Sequence, residues 1–192
     1  RWARLHHAGG LMMACAAHFE LAVAQRDWAA AEGIGARMAR LHTEANLEFT
    51  RAYPKIARGV LCLHAGDAAA ALADFEQVED IFRDQHNEWG VARASHRIVE
   101  ALIQLGDVDG ALTPLRLGTE IARRRGLMMY LNESARLWAT LLIERGQTVL
   151  GYALLRAILA DSRSASYTRL TAEGELGRLV DADGAPATQA GE

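Results

Sequence analysis

The side chains that could do chemistry are spread along the sequence without the spacing that a reactive site needs. Zinc sites require several His or Cys residues at short, defined spacings, as in His-Glu-x-x-His. No such pattern occurs. The seven histidines lie at positions His6, His7, His18, His42, His64, His86 and His96. The sequence therefore predicts scattered histidines and no metal centre.

Two cysteines, Cys15 and Cys62, are the remaining candidates for a nucleophile. A nucleophilic cysteine needs a base and an oxyanion site beside it, whereas both residues lie in apolar stretches that favour a core position. No Walker-type phosphate loop occurs, and Gly33-Ile34-Gly35 lacks the preceding strand that a dinucleotide fingerprint needs. We therefore expect a protein that is not an enzyme, has no cofactor and acts through binding. The unpaired cysteines favour a reducing, cytoplasmic location.

The elements that position these side chains are predicted to be helices throughout. The sequence has 192 residues, of which 51% are hydrophobic, and only three prolines, while Ala, Leu, Arg and Glu are abundant. These residues have a low cost of entering a helix, and no stretch alternates as a strand does. The formal charge of −3 provides no general attraction for nucleic acid or for acidic membranes. The predicted fold class is all-α.

A repeat of about 40 residues organises the chain. Its markers are the pairs Arg26-Asp27, Gly66-Asp67, Gly106-Asp107 and Gly146-Gln147. Gly tolerates the left-handed conformation that ends a helix, and a following Asp can accept hydrogen bonds from the first amides of the next helix. Small residues recur five positions later at Ala31, Ala71, Ala111 and Gly151, and bulky ones follow at Phe75, Leu115 and Leu155. Each marker therefore predicts a corner between two closely packed helices.

The repeat predicts two helices in each unit and one helical-repeat domain over residues 1–180. The expected helices are 4–25, 27–45, 48–65, 68–85, 88–105, 108–125, 128–145 and 148–162, with a short capping helix at 168–180. Residues 181–192 are rich in Ala, Gly and polar side chains and predict a flexible tail or linker. Because the sequence begins with Arg1 and not with Met, we expect it to be a piece of a longer protein.

The repeat resembles the tetratricopeptide signature, in which small residues permit close helix crossing and an aromatic fills the gap. Gly59, Gly66, Ala71 and Phe75 stand at its spacing. The unit is longer than the usual 34 residues and lacks the Pro that usually closes it. Units of this length resemble the sensor region of large ATP-dependent LuxR-type, maltose-activator-like transcriptional regulators. The resemblance implies a right-handed α-solenoid of helical hairpins.

The segment 153–180 resembles the one with which such sensor regions end. The matching positions are Leu154, Leu155, Tyr167, Arg169, Gly174, Leu176, Leu179 and Val180. In that family an ATPase module precedes this region and a helix-turn-helix follows it, and neither is present in these residues. The resemblance implies that DNA would be contacted only through that absent helix-turn-helix.

Tetratricopeptide solenoids bind ligands on a concave groove lined by the first helix of each pair. Transferring the groove positions by register predicts a ligand-binding groove. Its residues are Met13, Ala16, Glu20, Tyr53, Ile56, Val60, Arg93, His96, Glu100, Glu133, Arg136 and Thr140, with Arg97 and Asn132 at the edge. Such a set mixes apolar and hydrogen-bonding groups, as a polar small molecule or an extended peptide requires.

The register also predicts that His96 and Arg136 lie beside each other on neighbouring hairpins. Two adjacent cations repel, and Glu100 and Glu133 are expected to offset them only in part, so a bound anion or hydrogen-bonding ligand would explain the arrangement. Replacing both residues by Ala is then expected to leave the melting temperature nearly unchanged. The alternative is that these side chains extend separately into water.

The leading hypothesis is a ligand-sensing and protein-interaction domain of a LuxR-type transcriptional regulator. Its expected partners are a small-molecule or peptide effector and, through the solenoid, a partner protein or another copy of the chain, with no membrane contact. The alternative is a protein-binding scaffold region of a bacterial signalling ATPase or cyclase.

Overall fold

The protein is all-helical over the residues that its computed structural model describes, which are 2–45, 48–161 and 166–183. This part of the chain forms nine α-helices, a short 3-10 turn at Glu48–Thr50 and no strand. The helices are α1 (Trp2–Ala24), α2 (Trp28–Ala45), α3 (Ala52–His64), α4 (Ala68–Asp84), α5 (Glu88–Gln104), α6 (Leu112–Arg125), α7 (Met128–Glu144), α8 (Thr148–Ala160) and α9 (Ser166–Asp183). The predicted all-α class is confirmed.

Left-handed residues end the helices at regular intervals. Positive φ angles occur at Arg26, Gly66, Gly106 and Gly146, the four predicted corners, and also at His86 and Gly126 between them. Within the described residues the helices therefore turn about every 20 positions, twice in each unit. At the second corner Asp67 N donates to Cys62 O at 2.9 Å and Gly66 N to Leu63 O at 3.1 Å, so amides beyond the helix end bond its last carbonyl groups.

Side chains after these corners cap the next helix. The Oδ1 atoms of Asp27, Asp67 and Asp107 accept hydrogen bonds from the amides three residues later, at 3.0, 3.0 and 2.8 Å. Asn87 does the same for the amide of Gly90 at 3.0 Å. The predicted capping role is confirmed for Asp27 and Asp67, whereas Asp107 precedes the turns at 108–111, and Ala111 before α6 gives no side-chain cap. Asn87 adds a cap that the sequence analysis did not include.

The small residues of the repeat lie where neighbouring helices come close. Ala31, Ala71 and Ala111 are each 0% exposed, and Gly151 is buried. A Cβ atom on Gly151 would lie 2.8 Å from the carbonyl oxygen of Ala139, which leaves no room for a side chain. The bulky positions Phe75, Leu115 and Leu155 are likewise fully buried.

Enlarging one of these small residues is expected to destabilise the protein. Ala71→Leu should lower the free energy of unfolding by about 1–3 kcal/mol, because the added atoms overpack a close crossing. The matched control is Ala69→Leu, at an exposed position of the same helix, which should change it by less than about 0.5 kcal/mol. Urea unfolding measures both values, and equal losses would mean that Ala71 is not at a close crossing.

Two helices begin later than predicted. α6 starts at Leu112 and not at 108, after turns at residues 108–111. α3 starts at Ala52 after the 3-10 turn, which places Pro54 in its first turn, where a missing N–H costs no helical hydrogen bond.

Helices pack mainly on their neighbours in the chain, and helices two apart also meet. α1 contacts α3, α3 contacts α5, and α5 contacts α7. The first helices of the repeat units therefore adjoin one another.

α9 is longer than the capping helix predicted at 168–180 and reaches further. It extends through Asp183. It contacts α1 as well as α7 and α8. The rest of the predicted tail, 184–192, lies outside the described residues. No helix in the described part of the chain is both long and apolar enough to cross a bilayer.

Candidate functional site

The first helices of the repeat units surround a cavity of about 370 Å³, to which α9 also contributes. We call it the main cavity. Its lining residues are Met13, Ala16, Ala17, Glu20, Tyr53, Trp89, Arg93, His96, Arg97, Glu100, Met129, Tyr130, Glu133 and Thr168. Its volume is within the range of roughly 300–1,000 Å³ that is typical of small-molecule sites.

The structure brings most of the predicted groove residues to this cavity. Those that line it are Met13, Ala16, Glu20, Tyr53, Arg93, His96, Arg97, Glu100 and Glu133. Ile56 and Val60 do not line it: they are 1% and 3% exposed and belong to the hydrophobic core. The register prediction was wrong for these two because α3 turns its apolar side toward the neighbouring helices.

Arg136 and Thr140 line a second cavity of about 390 Å³. Glu175 of α9 contacts both of these residues. It forms an ion pair with Arg136, and its Oε2 accepts a hydrogen bond from Thr140 Oγ1 at 3.2 Å. Glu100 lines both cavities. Asn132 is half-buried and lines neither of them.

Several lining residues were missed by the sequence analysis, and two of them had a signal. Trp89 and Met129 stand four residues before Arg93 and Glu133, so extending the groove face by one helical turn would have included them. Thr168 had no such signal, because α9 lies outside the repeat register. The same holds for Glu175.

A network of ion pairs runs through the site. It joins Glu20 of α1, Arg93, Arg97 and Glu100 of α5, Glu133 and Arg136 of α7, and Glu175 of α9. Four carboxylates face three guanidinium groups, so the network carries one excess negative charge when all its members are ionised. Three of its helices come from different repeat units, and the fourth is α9.

Arg136 is the centre of this network. Its side chain is only 4% exposed, and its guanidinium group donates to Glu100 Oε1 at 2.6 Å, to Glu133 Oε1 at 3.0 Å and to Glu175. Burial disfavours its charge, but Glu133, Glu175 and Glu100 together raise the pKa of Arg136 well above its ordinary value. The expectation that Glu100 and Glu133 offset two cations only in part was wrong, because Glu175 adds a third carboxylate to Arg136 and, as shown below, His96 is not a cation.

The carboxylates of the network differ in how well they are compensated. Burial disfavours the charge of Glu133, but Arg136 outweighs it and holds the pKa of Glu133 below its ordinary value. Burial wins at Glu175, where it raises the pKa despite the same Arg136, with Glu133 adding repulsion. One guanidinium group cannot neutralise three carboxylates, so Glu175 is the least compensated partner of Arg136.

His96 is buried and is held in its neutral form. Burial lowers its pKa to about 4, with Arg136 and Arg97 acting in the same direction and Glu133 and Glu100 opposing them. Its Nε2 atom lies 2.8 Å from Ser134 Oγ. His96 is therefore not the second cation that the sequence analysis expected beside Arg136.

The neutral His96 should make stability depend on pH. Its pKa is about 4 in the folded protein and 6.5 when unfolded, so between these values the unfolded state binds more protons and stability rises with pH. The gain is on the order of 3 kcal/mol across this window. Urea unfolding at pH 4.5 and 6.5 should show a smaller change for His96→Asn than for the wild type. Equal changes would mean that His96 titrates normally in the folded state. Glu20, Glu133 and Glu175 also titrate with shifted pKa values, but they are present in both proteins, so the difference between the two changes reports on His96.

Three buried polar atoms at the main cavity have no hydrogen-bond partner: His96 Nδ1, Glu133 Oε2 and Thr168 Oγ1. Their residues are 3%, 8% and 1% exposed. Buried polar atoms are nearly always paired, so an unpaired one marks strain, a functional role or a bound molecule. Arg51 Nε is the only other such side-chain atom in the described part of the chain, so three of the four fall on residues of one cavity.

Aromatic rings form one side of the same cavity. The Trp89 and Tyr130 rings meet edge to face with centroids 5.7 Å apart, and the Arg93 guanidinium carbon lies 5.9 Å from the Trp89 ring centroid. Burial raises the pKa of Tyr130 well above its ordinary value, so its hydroxyl group stays neutral. These rings can pack an apolar body and attract a positive charge.

Over the described residues, no three His, Cys, Asp or Glu side chains are placed to hold a metal ion. Cys15 and Cys62 are free thiols, the first buried and the second half-buried. The sequence matches no protein-family model, and comparisons with curated proteins and with solved structures find no match either.

Proposed function

We propose that this chain is a non-enzymatic ligand-sensing and protein-interaction domain of a LuxR-type transcriptional regulator, built as a right-handed tetratricopeptide-like solenoid. The observation that carries the sensing role is the main cavity, where unpaired buried atoms of three residues meet at a site formed by four repeat helices and α9. The 40-residue period and the contacts between successive first helices support the solenoid.

The proposed sensing works by a shift between two states of the protein. A ligand shifts such an equilibrium only by its differential affinity for the two states. The main cavity joins α9 to the repeat helices through Thr168, and the ion pair of Glu175 with Arg136 lies beside it. A ligand in the cavity would therefore favour the arrangement in which α9 is docked.

Calorimetric titration with a library of metabolites and short peptides tests the sensing role. Ala17→Phe should abolish the binding of any ligand of the main cavity, because Ala17 lines it from α1 and is exposed enough to accept a larger side chain. Ala14→Phe is the matched control, since Ala14 is exposed on the same helix and does not line the cavity. Absence of binding by every compound, or binding that Ala17→Phe leaves intact, would contradict the cavity as a sensor site.

A second candidate function is the protein-binding scaffold of a bacterial signalling ATPase or cyclase. Val149 and Leu150 at the start of α8 are 81% and 58% exposed, and exposed apolar side chains of this size favour a protein contact. This candidate predicts a stable complex with one partner protein that Val149→Glu weakens. The reading frame around the sequence separates the two candidates, since a helix-turn-helix after residue 192 favours the regulator.

A further inference from the structure

We propose that the main cavity binds a small organic cation, with a protonated amine against the free oxygen of Glu133 and an apolar body against Trp89 and Tyr130. This inference rests on the proposed sensing role and names the class of effector.

The first argument is the free oxygen itself. Glu133 Oε1 accepts from Arg136, whereas Oε2 is buried and accepts no hydrogen bond. A buried carboxylate oxygen without a donor is costly. Glu133 also lines the cavity, and a protonated amine bound there is a strong donor for a carboxylate.

The second argument is the balance of charge. The ion-pair network has four carboxylates and three guanidinium groups, and His96 adds no positive charge because it is neutral. Among the residues that line the cavity, Glu20, Glu100 and Glu133 likewise outnumber Arg93 and Arg97. A bound water molecule could donate a hydrogen bond to Oε2, but it would leave the excess negative charge in place. A monocation both donates to Oε2 and neutralises that charge. A bound anion would increase the excess.

The third argument is the nature of the wall. Trp89 and Tyr130 offer aromatic surface on which an apolar body can pack. A metal ion does not fit, because the described residues offer no group of three ligands.

The test compares ligands that share a body and differ in charge. Tryptamine, tryptophol and indole-3-propionate carry an amine, a hydroxyl and a carboxylate on the same indole. Two further sets carry the same three groups on a phenyl ring and on an octyl chain. Isothermal titration calorimetry at pH 7 should show an amine binding at least about tenfold more tightly than its neutral and anionic counterparts. Ala17→Phe should abolish this binding, and Ala14→Phe should preserve it.

Glu133→Gln should weaken amine binding about tenfold or more and leave the neutral analogue unaffected. Glu120→Gln is its control, at an exposed carboxylate on α6 outside the cavity. Because Glu133→Gln removes a partner of Arg136 and could affect folding, Ala17→Phe provides the independent test of the site.

The outcomes separate this inference from the proposed function. The cation proposal would be overturned if an anionic or neutral compound bound at least as tightly as its amine. If Ala17→Phe abolished that binding, the sensor role would still stand. If no amine binds at about 1 mM, the cation is overturned. If nothing in the metabolite and peptide library binds either, the sensor role fails with it.

Discussion

Replacing Arg136 by Ala should lower the free energy of unfolding by about 3–5 kcal/mol, because removal of one partner leaves buried charges without compensation. Three carboxylates depend on this guanidinium group, and within the described residues two of them, Glu133 and Glu175, form ion pairs with no guanidinium group other than that of Arg136. Urea unfolding at pH 7 measures the loss. A loss of this size is at odds with the sequence-based expectation that replacing both Arg136 and His96 by Ala would leave the melting temperature nearly unaltered.

The matched control for Arg136→Ala is Arg123→Ala on α6. Arg123 also pairs with a glutamate, Glu120, but both side chains are more than half exposed, so the loss should be at most about 1 kcal/mol. The deficit of Arg136→Ala should shrink as the pH falls toward 4. Without the guanidinium group, the pKa of the buried Glu133 rises above that of the unfolded chain, so the folded variant gains protons first. Equal deficits for the two variants would mean that the network is solvated.

Phe75→Ala should be similarly damaging, at about 3–5 kcal/mol, because it empties a fully buried aromatic position. The ring lies against the backbone of Gly59, where an added Cβ atom would be 2.5 Å from Phe75 Cε1. Gly59→Ala should therefore destabilise the wild type by about 1 kcal/mol or more through overpacking.

The same Gly59→Ala change should reverse sign in the Phe75→Ala background. The ring is then gone, and Ala is favoured over Gly in a helix by about 1 kcal/mol. Gly33→Ala is the control, because nothing lies within 4 Å of its added Cβ atom, so it should stabilise both backgrounds alike. Chemical denaturation of the four variants of the cycle gives the coupling. Additive effects would mean that the ring and the glycine do not depend on each other.

The helices could be predicted closely because local physics decides them. Corners at Gly66, Gly106 and Gly146 require a left-handed residue, and at the first of them the following Asp67 supplies the cap, so both signals lie in adjacent residues. The corner at His86 was predicted only as a helix end, since histidine, unlike glycine, does not indicate a left-handed conformation. The late start of α6 could not be predicted from Asp107, since Asp27 and Asp67 make the same hydrogen bond and their helices begin at the next residue.

The site was predictable only as far as the register extends. Residues on α1, α5 and α7 came together because a fixed period places equivalent positions side by side. The register gives no contacts for α9, so Thr168 and Glu175 could not be predicted. Without Glu175, the site was predicted to carry excess positive charge, whereas its ion-pair network carries excess negative charge. Burial was the other missing quantity: the neutral state of His96 depends on its removal from water and not on its neighbours in sequence.

The contact of α9 with α1 has a consequence for how the chain comes apart. In an array where each repeat touches only its neighbours, the ends open first and the loss spreads inward. Here α9 contacts α1 near the beginning of the chain and α7 and α8 near its end. Opening at either terminus breaks contacts at the other, so the two ends share one unfolding event. Amide hydrogens in α1 and α8 should accordingly exchange with a common free energy of opening and not fray independently.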